Sequence, residues 1–174
     1  VILNGIEKEG LNFIPKLRGQ FSIFYFDINL NRAYLIRDRL GQKPLYYYQD
    51  KERLIFSSNL TSILKSNKNQ KKISESALDE YLRYGVVSSP RTIFKNYYKV
   101  EPANILEFHF VKNTIIASKS KYWEVEDFIN DEPFNIEEFL SILENSVTTR
   151  AEADVPVASF LSGGLDSTTI TKFL

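Results

Sequence analysis

A glycine-rich loop near the end of the chain has the residue types and spacing that could do chemistry. It spans residues 162–167, reads SGGLDS, and lies between an apolar run and a segment with helix-forming character. A loop that opens a helix presents free backbone N–H groups, and the helix dipole adds partial positive charge at the same place. We therefore predict an anion-binding site whose ligand is a phosphate.

The glycines and polar side chains of this loop suit different parts of phosphate binding. Gly163 and Gly164 let the backbone turn tightly and approach a phosphate without a Cβ clash. Ser162 and Ser167 supply hydroxyl donors, and Asp166 is placed to hold a Mg²⁺ ion that neutralises phosphate charge. The lysine of the common G-x-x-x-x-G-K-[ST] pattern is missing, so this is a different phosphate loop or an ordinary glycine turn with polar caps.

The elements around the loop must place it at a helix N-terminus. Residues 155–161 (VPVASFL) predict a strand that leads into the loop, and the residues from Ser167 onward predict the first turns of a helix. Residues 135–150 predict an earlier amphipathic helix, after a break at residues 130–133. The apolar stripe of that helix consists of Ile136, Phe139, Leu140, Leu143 and Val147.

The rest of the chain predicts short helices and β-hairpins. Two short helices separated at Gly10 are predicted over residues 1–17, and another helix over residues 59–66. The hairpins pair residues 20–28 with 32–38, residues 44–48 with 53–58, and residues 104–110 with 114–119. Because the first two hairpins supply four strands in succession, we predict that these strands form one antiparallel sheet.

A further helix is predicted over residues 75–84, with Ser74 as its cap and Gly85 at its end. Its apolar face carries Leu78, Tyr81 and Leu82. Between this helix and the one before it, residues 66–72 predict a polar, cationic connector.

The composition indicates a globular chain and excludes several classes of function. Hydrophobic residues make up 43% of the sequence, which is enough for a packed core. The 22 basic and 22 acidic residues cancel, so nothing favours nucleic acid or an anionic membrane surface as a partner. The longest apolar runs are far shorter than the roughly 20 residues that span a bilayer.

Cysteine and methionine are both absent from the sequence. The chain therefore contains no disulfide, no thiolate metal site and no cysteine nucleophile. Because the first residue is Val1 rather than methionine, we expect the chain to be a fragment of a longer protein.

The SGGLDS string resembles the S-G-G-x-D-S signature of the ATP pyrophosphatase superfamily, in which the loop holds the departing pyrophosphate. Residues 17–64 resemble the second half of the glutaminase domain of asparagine synthetases, through the motifs LRGQFSIFYFD, RDRLGQKPLYY and FSSN. KYWEVEDF (121–128) and RAEADVPVASFLSGGLDS (150–167) resemble the start of that family's synthetase domain. These segments occur in the family's order and spacing over nearly the whole chain.

The resemblance implies an α+β region followed by an α/β region. Residues 1–124 correspond to the C-terminal part of an αββα, N-terminal-nucleophile glutaminase sandwich with a connecting hairpin. Residues 125–174 correspond to the first helix, strand, loop and helix of a Rossmann-like ATP pyrophosphatase domain.

The resemblance also implies a reaction: glutamine supplies ammonia, ATP with Mg²⁺ activates the side-chain carboxylate of aspartate as an acyl-adenylate, and ammonia attacks it to give asparagine. The implied location is the cytoplasm, and the full-length protein is implied to be a homodimer. Asp166 is the implied Mg²⁺ partner, through the pyrophosphate. The implied ATP and pyrophosphate site consists of Leu161, Ser162, Gly163, Gly164, Asp166 and Ser167.

The chain also departs from the family pattern. The family's cysteine nucleophile and its glutamine-binding residues lie upstream of the segment that Val1 begins, and the residues that complete the aspartate and adenine sites lie beyond Leu174. We therefore expect the fragment alone to be inactive. Ala158, Asn59 and Thr168 replace a glycine, a glutamate and a serine of the pattern. The alternatives are a relative that forms β-lactams or amidates another carboxylate, and a non-catalytic nucleotide-binding module.

Several other residues allow both a functional and a structural interpretation. The RDR segment at residues 37–39, next to Gly41, could line a route between two active sites, but a salt-bridged strand end that orders the loop is favoured. Residues 46–48 (YYY) predict packing on alternate strand faces rather than base stacking. His109, with no second histidine or cysteine nearby, predicts a structural role. Phe160 and Leu161 also have two interpretations. The family resemblance implies a position beside the adenine or ribose, and the alternative is an ordinary core strand.

Overall fold

The computed structural model describes residues 1–67 and 71–174. The chain divides into two compact units, Val1–Ile129 and Asn130–Leu174. The first unit is α+β with antiparallel sheets, which confirms that part of the predicted fold class. Residues 68–70 of the predicted polar connector lie outside the described residues. Across the described part of the chain, no helix is long and apolar enough to cross a membrane.

The first unit contains the hairpins and short helices that the local patterns predict. Helix α1 is followed by a 3-10 helix, and a second 3-10 helix closes the unit. The helices are α1 (Ile2–Glu9), the 3-10 helix Gly10–Lys16, α2 (Leu60–Ser66), α3 (Glu75–Tyr84) and the 3-10 helix Glu126–Phe128. The strands are β1 (Ser22–Asp27), β2 (Arg32–Arg37), β3 (Tyr46–Gln49), β4 (Leu54–Ser57), β5 (Tyr97–Lys99), β6 (Asn104–Val111) and β7 (Thr114–Lys121).

The strands form two antiparallel sheets, with the orders β1-β2-β6-β7 and β4-β3-β5. The prediction that the first two hairpins make one sheet is therefore wrong, because each hairpin belongs to a different sheet. The reason lies in strand β2, where Ala33 to Ile36 are buried without interruption. A strand that is apolar on both faces needs a covering layer on each side, and one sheet with a solvent face cannot supply it.

Three apolar clusters bury the faces of these sheets. The cluster between the sheets contains Ala33, Leu35, Leu45, Val100, Leu106, Phe108 and Ile115. The outer face of the first sheet packs on the N-terminal helices, through Ile6, Ile14, Tyr34, Ile36 and Ile105. The outer face of the second sheet packs on α2, through Ile63, Tyr48 and Tyr97. The order of layers in this unit is therefore helices, sheet, sheet, helix.

The three consecutive tyrosines of β3 pack on alternate faces, as predicted. Tyr47 packs against the cluster between the sheets, whereas Tyr46 and Tyr48 belong to the cluster around α2. His109 lies on β6, opposite Arg32 and Ile116 in the strand register. Within the described residues no group of three or more histidine, cysteine, aspartate or glutamate side chains could hold a metal ion.

Helix α3 begins and ends at the predicted residues, but the Ser74 side chain does not cap it. Gly85 ends it with a φ of 71°, a left-handed conformation that glycine adopts without strain. Ser74 occupies the N-cap position, yet its side chain makes no capping hydrogen bond and instead lies 3.2 Å from the hydroxyl of Ser76. Leu82, on the predicted apolar face, is exposed.

The second unit contains two helices, α4 (Ile136–Arg150) and α5 (Leu165–Phe173). The Asn135 side chain caps α4 by accepting hydrogen bonds from the N–H groups of Glu137 and Glu138 at 3.0 and 3.2 Å. The strand predicted over residues 155–161 is wrong for this chain: these residues are exposed and form neither strand nor helix. A strand needs a neighbouring strand to pair its backbone groups, and the described residues of this unit contain none.

Candidate functional site

The glycine loop at residues 162–167 leads directly into helix α5. Gly163 has a φ of 82°, a left-handed conformation that residues with a Cβ rarely adopt. Gly164 is the N-cap of the helix, with φ −78° and ψ 161°, which any residue can adopt. The two adjacent glycines therefore meet different requirements: the backbone conformation requires glycine at position 163 but not at position 164.

Helix α5 begins with free backbone donors. No side chain caps its N-terminus, and the first backbone hydrogen bond runs from the N–H of Thr168 to the carbonyl of Gly164, at 3.1 Å. The N–H groups of the first turn, at Leu165, Asp166 and Ser167, accordingly have no hydrogen-bond acceptor among the described residues. This end of the helix therefore has the donors that an anion needs.

The two serines of the loop lie together beside these donors. The Oγ atoms of Ser162 and Ser167 are 3.0 Å apart, and Ser167 Oγ also donates to the carbonyl of Gly164 at 3.1 Å. Because a serine hydroxyl has one proton, the Ser162 hydroxyl is the donor of the serine pair. A phosphate oxygen can therefore accept the hydrogen bond of the Ser162 hydroxyl in place of Ser167, without opening the first turn of α5.

The space beside the loop is open. A Cβ added to Gly164 would meet only the Ser162 Oγ atom, at 3.6 Å, and one added to Gly163 would meet nothing within 4 Å. The Asp166 side chain is exposed in the first turn of the same helix. Mg²⁺ is commonly held by one or two carboxylates together with substrate phosphates, so a single carboxylate here fits a Mg²⁺ that arrives with a nucleotide. Leu161 is also exposed at the start of the loop.

A second cluster, at the end of β2, is ordered by a buried carboxylate. Asp38 is 1% exposed. Its Oδ1 atom accepts from the N–H groups of Leu40 and Gln42 at 3.2 and 2.9 Å. Its Oδ2 atom accepts from those of Lys43 and Phe21 at 2.9 and 3.3 Å. One side chain therefore fixes the backbone of the turn and joins that turn to the start of β1.

The arginines beside Asp38 donate to carbonyl groups. Arg37 donates to the carbonyls of Gly41, Lys43 and Val100 at 2.6, 2.8 and 2.6 Å. The ion pairs formed within residues 1–67 and 71–174 involve none of residues 37–39. The prediction that this strand end orders its loop is confirmed. The predicted salt bridge is wrong, because backbone N–H and carbonyl groups take the place of charged partners.

Arg39 joins this turn to two other parts of the unit. It donates to the carbonyl of Pro15 at 2.7 Å, and its guanidinium lies 5.7 Å from the ring centroid of Trp123. The Tyr122 hydroxyl donates to the carbonyl of Arg37 at 2.8 Å. Burial, and then the charge of Asp38, raises the pKa of Tyr122 to about 12. No local sequence pattern identifies these contacts, because they join residues that lie far apart in the chain.

Comparison with known protein families gives two matches. The family described as glutamine amidotransferase domain matches residues 1–123. The family described as asparagine synthase matches residues 138–174, a range that contains the whole glycine loop.

Curated relatives match nearly the whole chain. A Methanocaldococcus jannaschii protein that is named for the glutamine-hydrolysing asparagine synthetases is 40% identical, over 98% of this chain and 33% of its own length. Asparagine synthetase 2 of Bacillus subtilis is 30% identical, over 99% of this chain and 25% of its own length. Amidase chry2 of Gibberella zeae is 32% identical, over 92% of this chain and 24% of its own length.

The chain thus spans about a quarter to a third of the length of these relatives. The glutamine amidotransferase match covers more than half of the chain, and the asparagine synthase match follows it in order. The chain therefore belongs to the glutamine-hydrolysing asparagine synthetase family.

Proposed function

We propose that the whole protein is an ATP-dependent, glutamine-hydrolysing asparagine synthetase, and that the glycine loop holds the pyrophosphate part of ATP. The observation that carries the proposal is the loop's position within the asparagine synthase match, at the uncapped N-terminus of α5. The proposed ATP and pyrophosphate site consists of Leu161, Ser162, Gly163, Gly164, Asp166 and Ser167.

The proposed reaction has two halves that are joined by ammonia. In the glutaminase half, water cleaves the side-chain amide of glutamine and yields glutamate and ammonia. In the synthetase half, a side-chain carboxylate oxygen of aspartate attacks the α-phosphorus of ATP, and the bond to the bridging oxygen breaks to release pyrophosphate. Ammonia then attacks the acyl carbon, loses a proton and displaces AMP, which gives asparagine.

The loop residues contribute charge stabilisation to the second half. As the bond to the bridging oxygen breaks, negative charge grows on the pyrophosphate, beside the first-turn N–H groups and the Ser162 hydroxyl. Donors that are already fixed in place stabilise such charge without reorganising. Mg²⁺, when bound through Asp166 and phosphate oxygens, supplies positive charge that neutralises the leaving group.

The first unit supports the glutaminase half of the proposal. Its order of helices, sheet, sheet and helix is the layering that an αββα sandwich requires. We assign residues 1–124 to the C-terminal part of an N-terminal-nucleophile glutaminase domain, and residues 125–174 to the start of a Rossmann-like ATP pyrophosphatase domain. The described chain has no cysteine to act as the nucleophile. We therefore expect no glutamine hydrolysis from the 174-residue chain alone.

Nucleotide binding to the full-length protein tests the assignment of the loop. We expect calorimetry to detect Mg·ATP binding, and the Asp166→Ala variant to weaken it about tenfold or more through loss of the metal contact. Asp154→Ala is the matched control, because Asp154 is an exposed aspartate of the same unit outside the loop. Binding that is equally strong in wild type and Asp166→Ala, or absent from both, would count against the loop as a Mg·ATP site.

A second candidate is a related enzyme that amidates another carboxylate. The observation that favours it is that a relative of comparable identity, amidase chry2 at 32%, carries a name other than asparagine synthetase. Asparagine production by the full-length protein from aspartate, glutamine and ATP would support the first candidate. Pyrophosphate release that needs a carboxylate other than aspartate would support the second.

We further propose that the full-length protein works in the cytoplasm as a homodimer. The cytoplasm is where ATP, glutamine and aspartate occur together, and the chain carries no cysteines that would call for an oxidising compartment. Localisation of a tagged full-length protein and its sedimentation in solution test these two points. A secreted protein, or a full-length protein that sediments as a monomer at all concentrations, would contradict them.

A further inference from the structure

Two pairs of hydroxyl groups tie the segment that leads into the glycine loop to helix α5. The first is the pair of Ser162 and Ser167. In the second, Ser159 Oγ lies 2.8 Å from Thr171 Oγ1. The two serines of the segment are three positions apart, and their partners on α5 are four positions apart, which is about one helical turn. The segment therefore runs along α5 toward its N-terminus and contacts two consecutive turns.

The direction of each hydrogen bond follows from the single proton of a hydroxyl. Thr171 Oγ1 donates to the carbonyl of Ser167 at 2.7 Å, so its proton is already used. Ser159 is therefore the donor and Thr171 the acceptor of the second pair. The first pair has the same arrangement, because Ser167 donates to a backbone carbonyl and accepts from Ser162. In both pairs the segment donates and the helix accepts.

Few other contacts hold this segment against α5. Residues 155–161 are exposed along their whole length and form neither strand nor helix. Among the described residues, the two pairs are the side-chain hydrogen bonds that join residues 155–162 to α5. The acceptors Ser167 and Thr171 are half-buried, whereas the donors on the segment are exposed. The position of the segment against the helix therefore depends on these two contacts.

The two pairs differ in what a bound nucleotide does to them. In the proposed function a phosphate oxygen accepts the Ser162 hydrogen bond, which breaks the contact between Ser162 and Ser167. The pair of Ser159 and Thr171 lies about one turn further along α5, away from the free N–H groups of the first turn. Its hydrogen bond can therefore persist, and it becomes the side-chain contact that still ties the segment to the helix.

We propose that Ser159 and Thr171 are positioning residues for the pyrophosphate loop, and that their hydrogen bond holds the Ser162 hydroxyl in place while it donates to phosphate. This inference rests on the proposed function, because it concerns the same loop. Neither residue of the pair touches the nucleotide in this proposal. Both act through the backbone of residues 160–162, which joins Ser159 to the donor.

Loss of the pair should slow turnover more than it weakens ATP binding. In the ground state a loosened loop can still donate from Ser162, because the bound phosphate itself attracts the hydroxyl. When pyrophosphate leaves, negative charge grows at a fixed place, and a donor that must first reorganise stabilises that charge less. The expected signature is therefore a lower kcat for pyrophosphate release at a nearly constant KM for ATP.

Pyrophosphate release by the full-length protein, with aspartate and glutamine present, tests the pair. Thr171→Val removes the hydroxyl and keeps the branched shape, and kcat should fall about three- to tenfold while KM for ATP changes less than about twofold. Thr171→Ser keeps the hydroxyl and should have the wild-type kcat. Thr169→Val is the matched control, because the Thr169 hydroxyl donates within α5, to the carbonyl of Leu165 at 2.8 Å. It should turn over as the wild type does.

A double-mutant cycle tests whether the pair acts through Ser162. Once Ser162→Ala has removed the donor, the pair has no hydroxyl to position, so adding Thr171→Val should change kcat by less than about twofold. A purely structural contact would lower kcat by the same factor in both backgrounds. Thermal unfolding is measured for each variant. If Thr171→Val fails to fold, Ser159→Ala breaks the same hydrogen bond from its exposed side and replaces it in the cycle.

Two results would overturn the proposal and leave the proposed function intact. One is a kcat of Thr171→Val equal to that of Thr169→Val, and the other is an equal loss from Thr171→Val with and without Ser162→Ala. A wild-type protein that releases no pyrophosphate from ATP would overturn the proposed function, and this inference with it. A loss of kcat that is absent from Thr171→Ser, and that disappears in the Ser162→Ala background, would support the positioning role.

Discussion

The Oγ atoms of Ser162 and Ser167 lie 3.0 Å apart, which joins the start of the glycine loop to the first turn of α5. The Ser167 hydroxyl donates its one hydrogen bond to the carbonyl of Gly164, so it is the acceptor in its contact with Ser162. The two serines thus have different functions in the proposal: Ser167 supports the loop, and Ser162 donates to the phosphate.

This difference predicts the effect of removing each hydroxyl. Ser162→Ala should weaken Mg·ATP binding by about tenfold or more, because it removes a donor to a charged ligand, while the helix content of the chain stays unchanged. Asp154→Ala is again the control, since Asp154 is exposed and lies outside the loop. Calorimetry and circular dichroism measure both effects. An affinity in Ser162→Ala equal to that of the control would show that this hydroxyl does not contact the nucleotide.

The two adjacent glycines should respond differently to alanine. Gly163→Ala places a Cβ in a left-handed conformation and should lower the stability of the loop by about 1 kcal/mol. Gly164→Ala fits the backbone, yet its Cβ enters the open space beside the first-turn donors. We expect both variants to lose Mg·ATP affinity, but only Gly163→Ala to unfold at a lower temperature. Unchanged affinity in Gly164→Ala would mean that the ligand does not approach the backbone there.

The buried carboxylate of Asp38 should dominate the stability of the first unit. Asp38→Asn replaces one accepting oxygen by a donor, and the N–H groups that faced it lose their acceptor. We expect the free energy of unfolding to fall by about 3 kcal/mol. Asp79→Asn, on the exposed surface of α3, should change little, because its partner Arg83 is exposed as well. Urea titration compares the two, and equal effects would contradict the role assigned to Asp38.

Two partly buried tyrosines, Tyr47 and Tyr122, predict a loss of stability at alkaline pH. The pKa values of Tyr47 and Tyr122 are raised from 10.0 to about 12, chiefly by burial. Above pH 10 the unfolded chain loses these protons while the folded chain keeps them, so the free energy of unfolding should decrease between about pH 10 and 12. Tyr122→Phe should show a smaller decrease over that range. A flat stability curve there, or an absorbance titration in which all ten tyrosines ionise near pH 10, would contradict this.

Local sequence patterns predicted the helices and strands of the first unit better than they predicted how the strands pair into sheets. The alternation of side chains along a strand correctly predicted which faces of β3 the tyrosines at residues 46–48 pack on. Alternation is a local property, because successive side chains of any strand point to opposite faces. The pairing of β2 with β6 joins residues such as Leu35 and Leu106, and no local pattern specifies a partner so distant in sequence. Residues 155–161 have strand-forming composition, but a strand also needs a paired neighbour.

The candidate site was predictable where it depends on local chemistry. Glycines before a helix with Ser and Asp in the first turn indicated an anion loop, and the structure has free N–H groups there. The role of Asp38 was not predictable, because the donors to its carboxylate include the N–H of Phe21, which precedes it by 17 residues.

The products that the full-length protein makes from ATP test the central claim most directly. With aspartate and glutamine present, the account predicts one AMP and one pyrophosphate for each asparagine formed, and loss of all three products in Asp166→Ala. Release of ADP and phosphate instead, or release of pyrophosphate that does not depend on an acceptor carboxylate, would contradict it.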